Sequence, residues 1–325
     1  MSSSTPTAVP SSPPYPPRGA SMGGSPTKGV DIPISAVFLL LFACAAALNM
    51  TIFQINRRRN HKFIISAVTF GFCMARITAN VLRIVWACYP TNARIAIAAS
   101  VFANAGVLLL YIVNIIFFQR ILRALHPNFG WRQPVRLAFR FLYFGVFACL
   151  VMVITAVVYS FYTLDTSVLS KIRDVRLVAS VYIAVLSFIP IPGILLCLLF
   201  PRRHPADHFG HGSMNTKIIL VLFTTTLLAL GASLRAGVAF LPVRPVTDPG
   251  WFNHKAVFYC FSYVIELIVV YTYALMRMDK RFHIPNGSSA PWHYSNGVPN
   301  DTDDTTVEKS ANEEPILDEE AQRSK

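Results

Sequence analysis

Acidic residues and histidines are almost absent from the long apolar stretches of this chain. The 325 residues include 29 lysines and arginines but only 16 aspartates and glutamates. Glu266 is the only acid placed within an apolar stretch, and no histidine falls inside one. This argues against the seven-span membrane zinc hydrolases, which need histidines and acids within their helices to hold the metal.

Other signatures of catalysis are missing as well. There is no phosphate-binding glycine loop and no nucleophile elbow, and the six cysteines are too scattered to form a disulfide framework. His204, His208 and His211 have a spacing that can bind zinc on a helix, but Pro205 and Gly210 favour a solvated loop. The sequence therefore predicts no enzyme, no cofactor and no metal site.

The formal net charge of +13 does not indicate a nucleic-acid partner. Residues 301–325 contain nine acidic and three basic side chains, so the excess positive charge belongs to the rest of the chain. There it is concentrated beside the ends of the apolar stretches, and no nucleic-acid motif is present. The partners that this pattern predicts are membrane lipids.

Seven apolar stretches of about 20 residues each are long enough to cross a hydrocarbon core as helices. They lack the alternating pattern of a membrane β-barrel. The sequence thus predicts an all-α, seven-helix transmembrane bundle in the plasma membrane or an endomembrane. The predicted spans are residues 32–55, 63–86, 94–118, 141–162, 176–199, 218–241 and 256–276.

The connectors between these spans alternate in positive charge. One set carries 15 lysines and arginines, and the other carries 8 that are partly offset by acids. Because positively charged connectors are retained in the cytosol, we expect the N-terminus outside and the C-terminus in the cytosol.

The segments at the two ends of the chain differ in composition from the spans. Residues 1–31 are rich in serine and proline and predict a disordered external arm. Residues 32–281 form the predicted membrane domain. Residues 282–325 are polar and then acidic, and predict a disordered cytosolic tail.

A few polar side chains within the spans form a predicted intramembrane cluster, since ionisable groups at bilayer depth require partners. Three of them recur at i, i+4 and i+7 on one face of the second span, and residue counts place several of the others at one depth. The cluster consists of Arg76, Asn80, Arg83, Asn104, Arg235 and Glu266.

Three interpretations of this cluster remain open. In the first, Glu266 neutralises Arg76 or Arg235 and clamps the bundle without a ligand. In the second, two arginines against one carboxylate leave positive charge for an anionic or amphipathic ligand. A proton or ion relay is the third, although a single acid makes a poor chain.

Pro190 and Pro192 lie in the fifth span, within the sequence Phe188-Ile189-Pro190-Ile191-Pro192-Gly193. Each proline removes a backbone donor and clashes with the preceding turn. We expect a kink there that serves as a hinge, or that serves packing alone.

The connector after the third span is rich in arginines and aromatic residues. Such a segment can dock a cytosolic signalling partner or lie among lipid headgroups, and it can equally be an orientation signal that needs no partner. The residues assigned to this contact are Arg120, Arg123, Trp131, Arg132 and Arg136.

Several stretches resemble a family of fungal multispan membrane proteins of unknown function, over about residues 35–280. The resemblance implies fungal origin and seven helices, and it assigns no catalytic residue. More distantly, the layout is similar to lipid exporters of the resistance-to-aminocholesterol type and to fungal seven-span receptor-like proteins. The stretches are residues 73–76, 81–87, 90–99, 105–110, 114, 119–121 and 126–131.

The functional prediction is receptor-like sensing: ligand in the outer polar layer, movement at the proline kink, and readout through the arginine-rich connector and the tail. One alternative is transport or translocation of lipids or amphipathic solutes. The other is a structural membrane protein without a ligand.

Overall fold

The structure, a computed structural model, describes residues 12–15, 19–59, 61, 63–201, 206–245 and 248–295. These residues form an all-α fold. The isolated antiparallel pairing of Gly19 with Pro245 is the β-bridge recorded among them.

Seven helices in the described residues are long and apolar enough to cross a membrane, which confirms the predicted number. Most of them extend beyond the predicted spans by several residues, because their polar end turns continue the helical hydrogen bonding into the headgroup region. The helices are α1 (Lys28–Arg58), α2 (Ile64–Cys88), α3 (Ala93–Leu125), α4 (Gln133–Ser160), α5 (Thr166–Leu199), α6 (Met214–Phe240) and α7 (Lys255–Leu275).

Polar side chains fix where three of these helices begin. Asn92 accepts hydrogen bonds from the N–H groups at the start of α3, Asp165 caps α5, and Ser213 caps α6. Each cap satisfies a backbone donor that the first turn leaves without an intrahelical partner.

Three helices contain local irregularities. The helical hydrogen bonding of α3 is interrupted at Gly106 and Val107, and that of α5 is interrupted at Pro190 and Pro192, which have no N–H to donate. Helix α7 is π-helical over Tyr259–Val264. Such π-helical turns are rare and occur frequently at functional sites.

Helices α4 and α5 lie at the periphery of the bundle. The buried residues of α4 are apolar without exception, and α5 buries one polar side chain, Ser187. The other buried polar side chains of the helices come from α1, α2, α3, α6 and α7. The centre of polarity therefore lies among these five helices.

The described ends of the two outer segments are packed against the bundle, which differs from the expected absence of structure. The N–H of Ala20 donates to the carbonyl of Arg244, and that of Gly23 donates to Asn253. At the opposite end, Phe282 and Tyr294 are buried. The predictions for residues 1–11, 16–18 and 296–325 lie outside the described residues.

Candidate functional site

A buried ion pair between Arg76 of α2 and Glu266 of α7 lies at the centre of the polar region. The Arg76 side chain is 0% exposed and that of Glu266 is 1% exposed. Nη2 of Arg76 donates to Oε1 of Glu266 at 2.6 Å, and Nε lies 2.5 Å from Oε2. The arginine thus faces both carboxylate oxygens, but only the Nη2–Oε1 contact has hydrogen-bond geometry, so the pair offsets part of the cost of removing two charges from water.

The interruption of α3 supplies Arg76 with a further partner. Nη1 of Arg76 donates to the carbonyl oxygen of Ala103 at 2.8 Å. In a regular α-helix the N–H of Val107 would occupy that carbonyl, but Val107 lies in the interruption. The break therefore exposes a backbone acceptor at the depth where the buried guanidinium needs one.

Arg235 of α6 is the second cation of this cluster and is held more loosely. Its Nη2 lies 3.8 Å from Oε1 of Glu266, which makes this the longer of the two ion pairs that Glu266 forms. The same nitrogen donates to the hydroxyl of Tyr111 in α3 at 3.0 Å. The side chain of Arg235 is 22% exposed, so it is the accessible arginine of the pair.

Close approach of α6 to the π-helical turn of α7 positions Arg235 beside Glu266. A Cβ atom on Gly231 would lie 2.7 Å from the carbonyl oxygen of Phe261 and 3.8 Å from Nη2 of Arg235. Only glycine leaves room for this backbone contact. Gly231 therefore sets the separation of the two helices at the site.

Asn80 and Asn104 do not join the central ion pairs. The side-chain nitrogen of Asn80 donates to the carbonyl of Arg76 in its own helix, and its Oδ1 is buried without a partner in the structure. Asn104 is exposed and donates to the carbonyl of Ser100. The exposed side chain of Asn104 makes no contact with the central ion pairs, and the backbone of the adjacent Ala103 contacts Arg76 instead.

Arg83 belongs to a second cluster near the end of the bundle that carries the N-terminal arm. Its guanidinium donates to Oδ1 of Asp31 at 2.8 Å and to the hydroxyl of Tyr259 at 3.0 Å. It also donates to the carbonyl of Gly23 in the arm at 2.9 Å. Lys255 forms an ion pair with the other oxygen of Asp31.

Asp31 is the functional-site candidate that sequence reasoning missed. It is fully buried in the first turn of α1 and joins α1, α2 and α7 through its ion pairs. The predicted first span begins at residue 32, which assigns Asp31 to the external arm. The sequence does indicate that Arg83 needs an acidic partner from another segment, because its own helix contains no aspartate or glutamate.

Aromatic rings cover the two buried arginines. Arg76 lies over the ring of Tyr263 at 5.1 Å, and Arg83 lies over the ring of Phe258 at 4.5 Å. These rings come from α7 and pack against one another at 5.3 Å. Cation–π contacts of this kind are stronger when the cation is desolvated, so they help to stabilise the two buried guanidinium groups.

Two further polar groups follow toward the tail end of the bundle. Oδ1 of Asn114 in α3 accepts hydrogen bonds from Tyr273 at 2.6 Å and from Thr224 at 3.2 Å. Beyond them, Asn56 donates to Asp279 at 2.9 Å, and Asp279 also pairs with Arg277. Burial raises the pKa of Asp279, but the hydrogen bonds from Arg277 and Asn56 outweigh burial and lower it below its ordinary value.

Buried polar groups therefore occur at four successive levels of the bundle, which we call the polar column. Helix α7 contributes Tyr259, Glu266 and Tyr273 to the first three levels, and each of these side chains is buried. The four levels are Asp31–Arg83–Tyr259, Arg76–Glu266 with the partly exposed Arg235, Asn114–Tyr273–Thr224, and Asn56–Asp279 with the partly exposed Arg277.

The arginine-rich connector is covered in part by the chain itself. Arg120 donates to the carbonyl of Phe282, and Arg123 lies 4.1 Å over the ring of Trp131. Trp131 is buried, whereas Arg132 and Arg136 are exposed. A partner that contacts Arg120 must first displace the segment after α7.

The fifth helix is interrupted where the prolines predicted a kink. Pro190 and Pro192 begin the second part of α5, and Ile189 between the two parts has helical backbone angles of φ −47° and ψ −42°. The interruption is therefore local. Movement at this point stays a prediction.

Within the described residues, no group of three histidine, cysteine, aspartate or glutamate side chains is arranged to hold a metal ion. His208 and His211 are described, but His204 and Pro205 lie outside the described residues.

Two overlapping stretches match a family described as a protein of unknown function (DUF3112). They cover residues 127–213 and 206–283. No curated protein and no solved structure matches the chain. This similarity agrees with the resemblance to a family without an assigned activity. The chain itself is a polytopic, membrane-like helical protein.

Proposed function

We propose that the protein is a receptor-like integral membrane protein, not an enzyme, that binds an anionic amphipathic ligand at Arg235. The observation that supports this proposal is the unequal sharing of Glu266. Arg76 faces both carboxylate oxygens at 2.5–2.6 Å, whereas Arg235 lies 3.8 Å away and is 22% exposed.

The charge balance of the central level favours an anion. Two guanidinium groups against one carboxylate leave one positive charge in a region of low dielectric, where charge–charge interactions are strong. Arg76 is enclosed, so a phosphate or carboxylate group can reach only Arg235 without breaking the tighter ion pair. Arginine binds such groups through two parallel N–H donors.

The ligand is proposed to act on α7, which carries one member of each of the first three levels of the polar column. The chain after α7 leads directly to Asp279, in the fourth level, and to Phe282. An anion bound to Arg235 weakens the attraction between Arg235 and Glu266, and so reduces one of the contacts that hold α7 in place. The proline interruption of α5 is proposed as the hinge that accommodates this movement.

We also propose that the arm lies outside the cell or in a lumen and the tail lies in the cytosol. This orientation rests on the excess of lysine and arginine in the connectors on the tail side. Asn286-Gly287-Ser288 should then remain unglycosylated, while the acceptor created by Ser2→Asn should be modified. A glycan at Asn286 would show that the orientation is the reverse of the one proposed.

Binding can be tested with phosphatidic acid as the probe and phosphatidylcholine as the neutral comparison, by native mass spectrometry of the full chain. We expect Arg235→Leu to weaken phosphatidic acid binding about tenfold, equivalent to about 1.4 kcal/mol. Arg244→Leu is the matched control, because Arg244 is exposed and paired with Asp248. Equal binding by wild type and Arg235→Leu would contradict the proposal.

A second candidate function is translocation of a lipid or amphipathic solute. The polar column supports it, because polar groups at four levels offer partners to a polar head along the length of the bundle. Reconstituted vesicles distinguish the two functions. Translocation requires protein-dependent flux of labelled lipid that Arg235→Leu reduces, whereas a receptor binds the same lipid without flux.

A further inference from the structure

Three arginines at the beginning of α4 form an exposed positive surface. Arg132 immediately precedes the helix, and Arg136 and Arg140 lie four residues apart on one side of its first turns. All three are exposed, and no described acidic side chain forms an ion pair with them. We call these residues the arginine face.

The helix itself adds to the positive charge of this face. The first turn of α4 contains no acidic residue. The N-terminus of a helix carries a partial positive charge that favours anions and disfavours cations. The arginine face therefore gains from a nearby negative group that the described residues do not supply.

The segment after α7 is anchored beside this face. The ring of Tyr294 packs against Trp131 at 5.9 Å and against Phe209 at 5.6 Å, and its backbone N–H donates to Asp207 at 3.4 Å. Trp131 immediately precedes Arg132. The anchored segment thus delivers the rest of the chain next to the arginines, on the same side of the membrane whatever the orientation.

The chain that follows the anchor has the complementary charge. Residues 301–325 contain nine acidic and three basic side chains. Residue 301 follows Tyr294 by seven positions, a reach of up to about 25 Å for extended chain, whereas the arginine face extends about 12 Å along α4. A short tether of this kind produces a local concentration of about 1 mM or more.

We propose that residues 301–325 bind the arginine face and compete there with anionic lipid headgroups. The occupant is this segment of the chain, because its charge is complementary and its tether ends beside the site. The interaction is electrostatic and near the surface, so it weakens as salt shortens the screening length to about 3 Å at 1 M. Negative charge added to the segment, for example by phosphorylation, strengthens it.

The test uses zero-length carbodiimide crosslinking, which joins lysine amines to carboxylates in direct contact. The full chain with Arg132→Lys, Arg136→Lys and Arg140→Lys retains the charge of the face and provides reactive amines. The matched control carries Arg57→Lys and Arg58→Lys, which place amines at the exposed end of α1 on the same side. Both are reconstituted in nanodiscs that contain phosphatidylserine.

We expect crosslinks from residues 301–325 to the α4 positions at least fivefold more often per lysine than to the α1 positions, with a severalfold reduction in 1 M salt. Equal yields at the two helices would overturn the proposal, because the acidic segment would then have no preferred site. The same crosslinking is carried out in nanodiscs of pure phosphatidylcholine. Crosslinks that form there but not in the presence of phosphatidylserine would also overturn the proposal, because the phosphatidylserine headgroups would then occupy the arginine face.

Discussion

Arg83 and Asp31 are separated by 52 positions in the sequence, and their side chains meet at 2.8 Å inside the bundle. The pair joins α2 to the first turn of α1, and Tyr259 extends it to α7 through a 2.8 Å hydrogen bond to the same carboxylate. The polar column thus begins at the end of the bundle where the arm enters, one level before the central Arg76–Glu266 pair.

Loss of the central carboxylate should strongly destabilise the protein. Glu266→Gln leaves Arg76 and Arg235 without a counter-charge, and removing one partner of a buried pair costs about 3–5 kcal/mol. Thermal unfolding in detergent measures the loss. The double change Arg76→Met with Glu266→Leu removes both charges and should cost less than Glu266→Gln alone. An equal or greater loss would contradict this explanation.

Asp31 should contribute far more to stability than an exposed aspartate. Asp31→Asn leaves Arg83 and Lys255 without their shared anion, and we expect a loss of about 3 kcal/mol. Asp248→Asn is the comparison, since its pair with Arg244 is exposed and should be worth less than about 1 kcal/mol. Similar unfolding temperatures for the two variants would show that the buried cluster has no special role.

Two glycines in α6 should respond in opposite ways to an added methyl group. A Cβ at Gly231 meets the carbonyl oxygen of Phe261 at 2.7 Å, so Gly231→Ala forces α6 and α7 apart at a cost of about 1–3 kcal/mol. No atom lies within 4 Å of a Cβ at Gly237, so Gly237→Ala should stabilise by about 0.5–1 kcal/mol. Thermal unfolding of the two variants tests the predicted signs.

The segment after α7 should loosen as the pH falls. Burial lowers the pKa of His283 below its ordinary value of 6.5, and electrostatic interaction with His61, Arg120 and His211 lowers it further. The released segment then binds a proton more readily than the docked one, so docking is intact above pH 6.5 and weakens as the pH falls below it. Hydrogen exchange of residues 282–295 measures this, and His283→Gln should reduce the dependence.

The hydrophobic pattern was sufficient to predict the all-α class and the number of helices long and apolar enough to span a membrane. Residue counts placed Arg76, Arg235 and Glu266 at a similar depth, but they left open whether Glu266 pairs with Arg76 or with Arg235, or whether the cluster binds a ligand. Asn104 could not be placed, since the interruption of α3 at Gly106 and Val107 determines which group faces α2 and leaves no mark in hydrophobicity.

The contacts of the two outer segments were equally inaccessible to sequence patterns. Arg120 bonds to a backbone carbonyl at Phe282, and Arg83 bonds to one at Gly23. Both acceptors belong to segments whose composition is typical of disorder. Such contacts depend on where helices end, which residue counts predict only to within several positions.

The central claim is that binding of an anion at Arg235 changes the contacts of the segment that follows α7. Hydrogen exchange of residues 278–295 in the full chain, with and without phosphatidic acid in phosphatidylcholine nanodiscs, tests it most directly. We predict a change in protection with phosphatidic acid in the wild type and in Arg244→Leu, and none in Arg235→Leu. The same change in Arg235→Leu, or no change in the wild type, would contradict the claim.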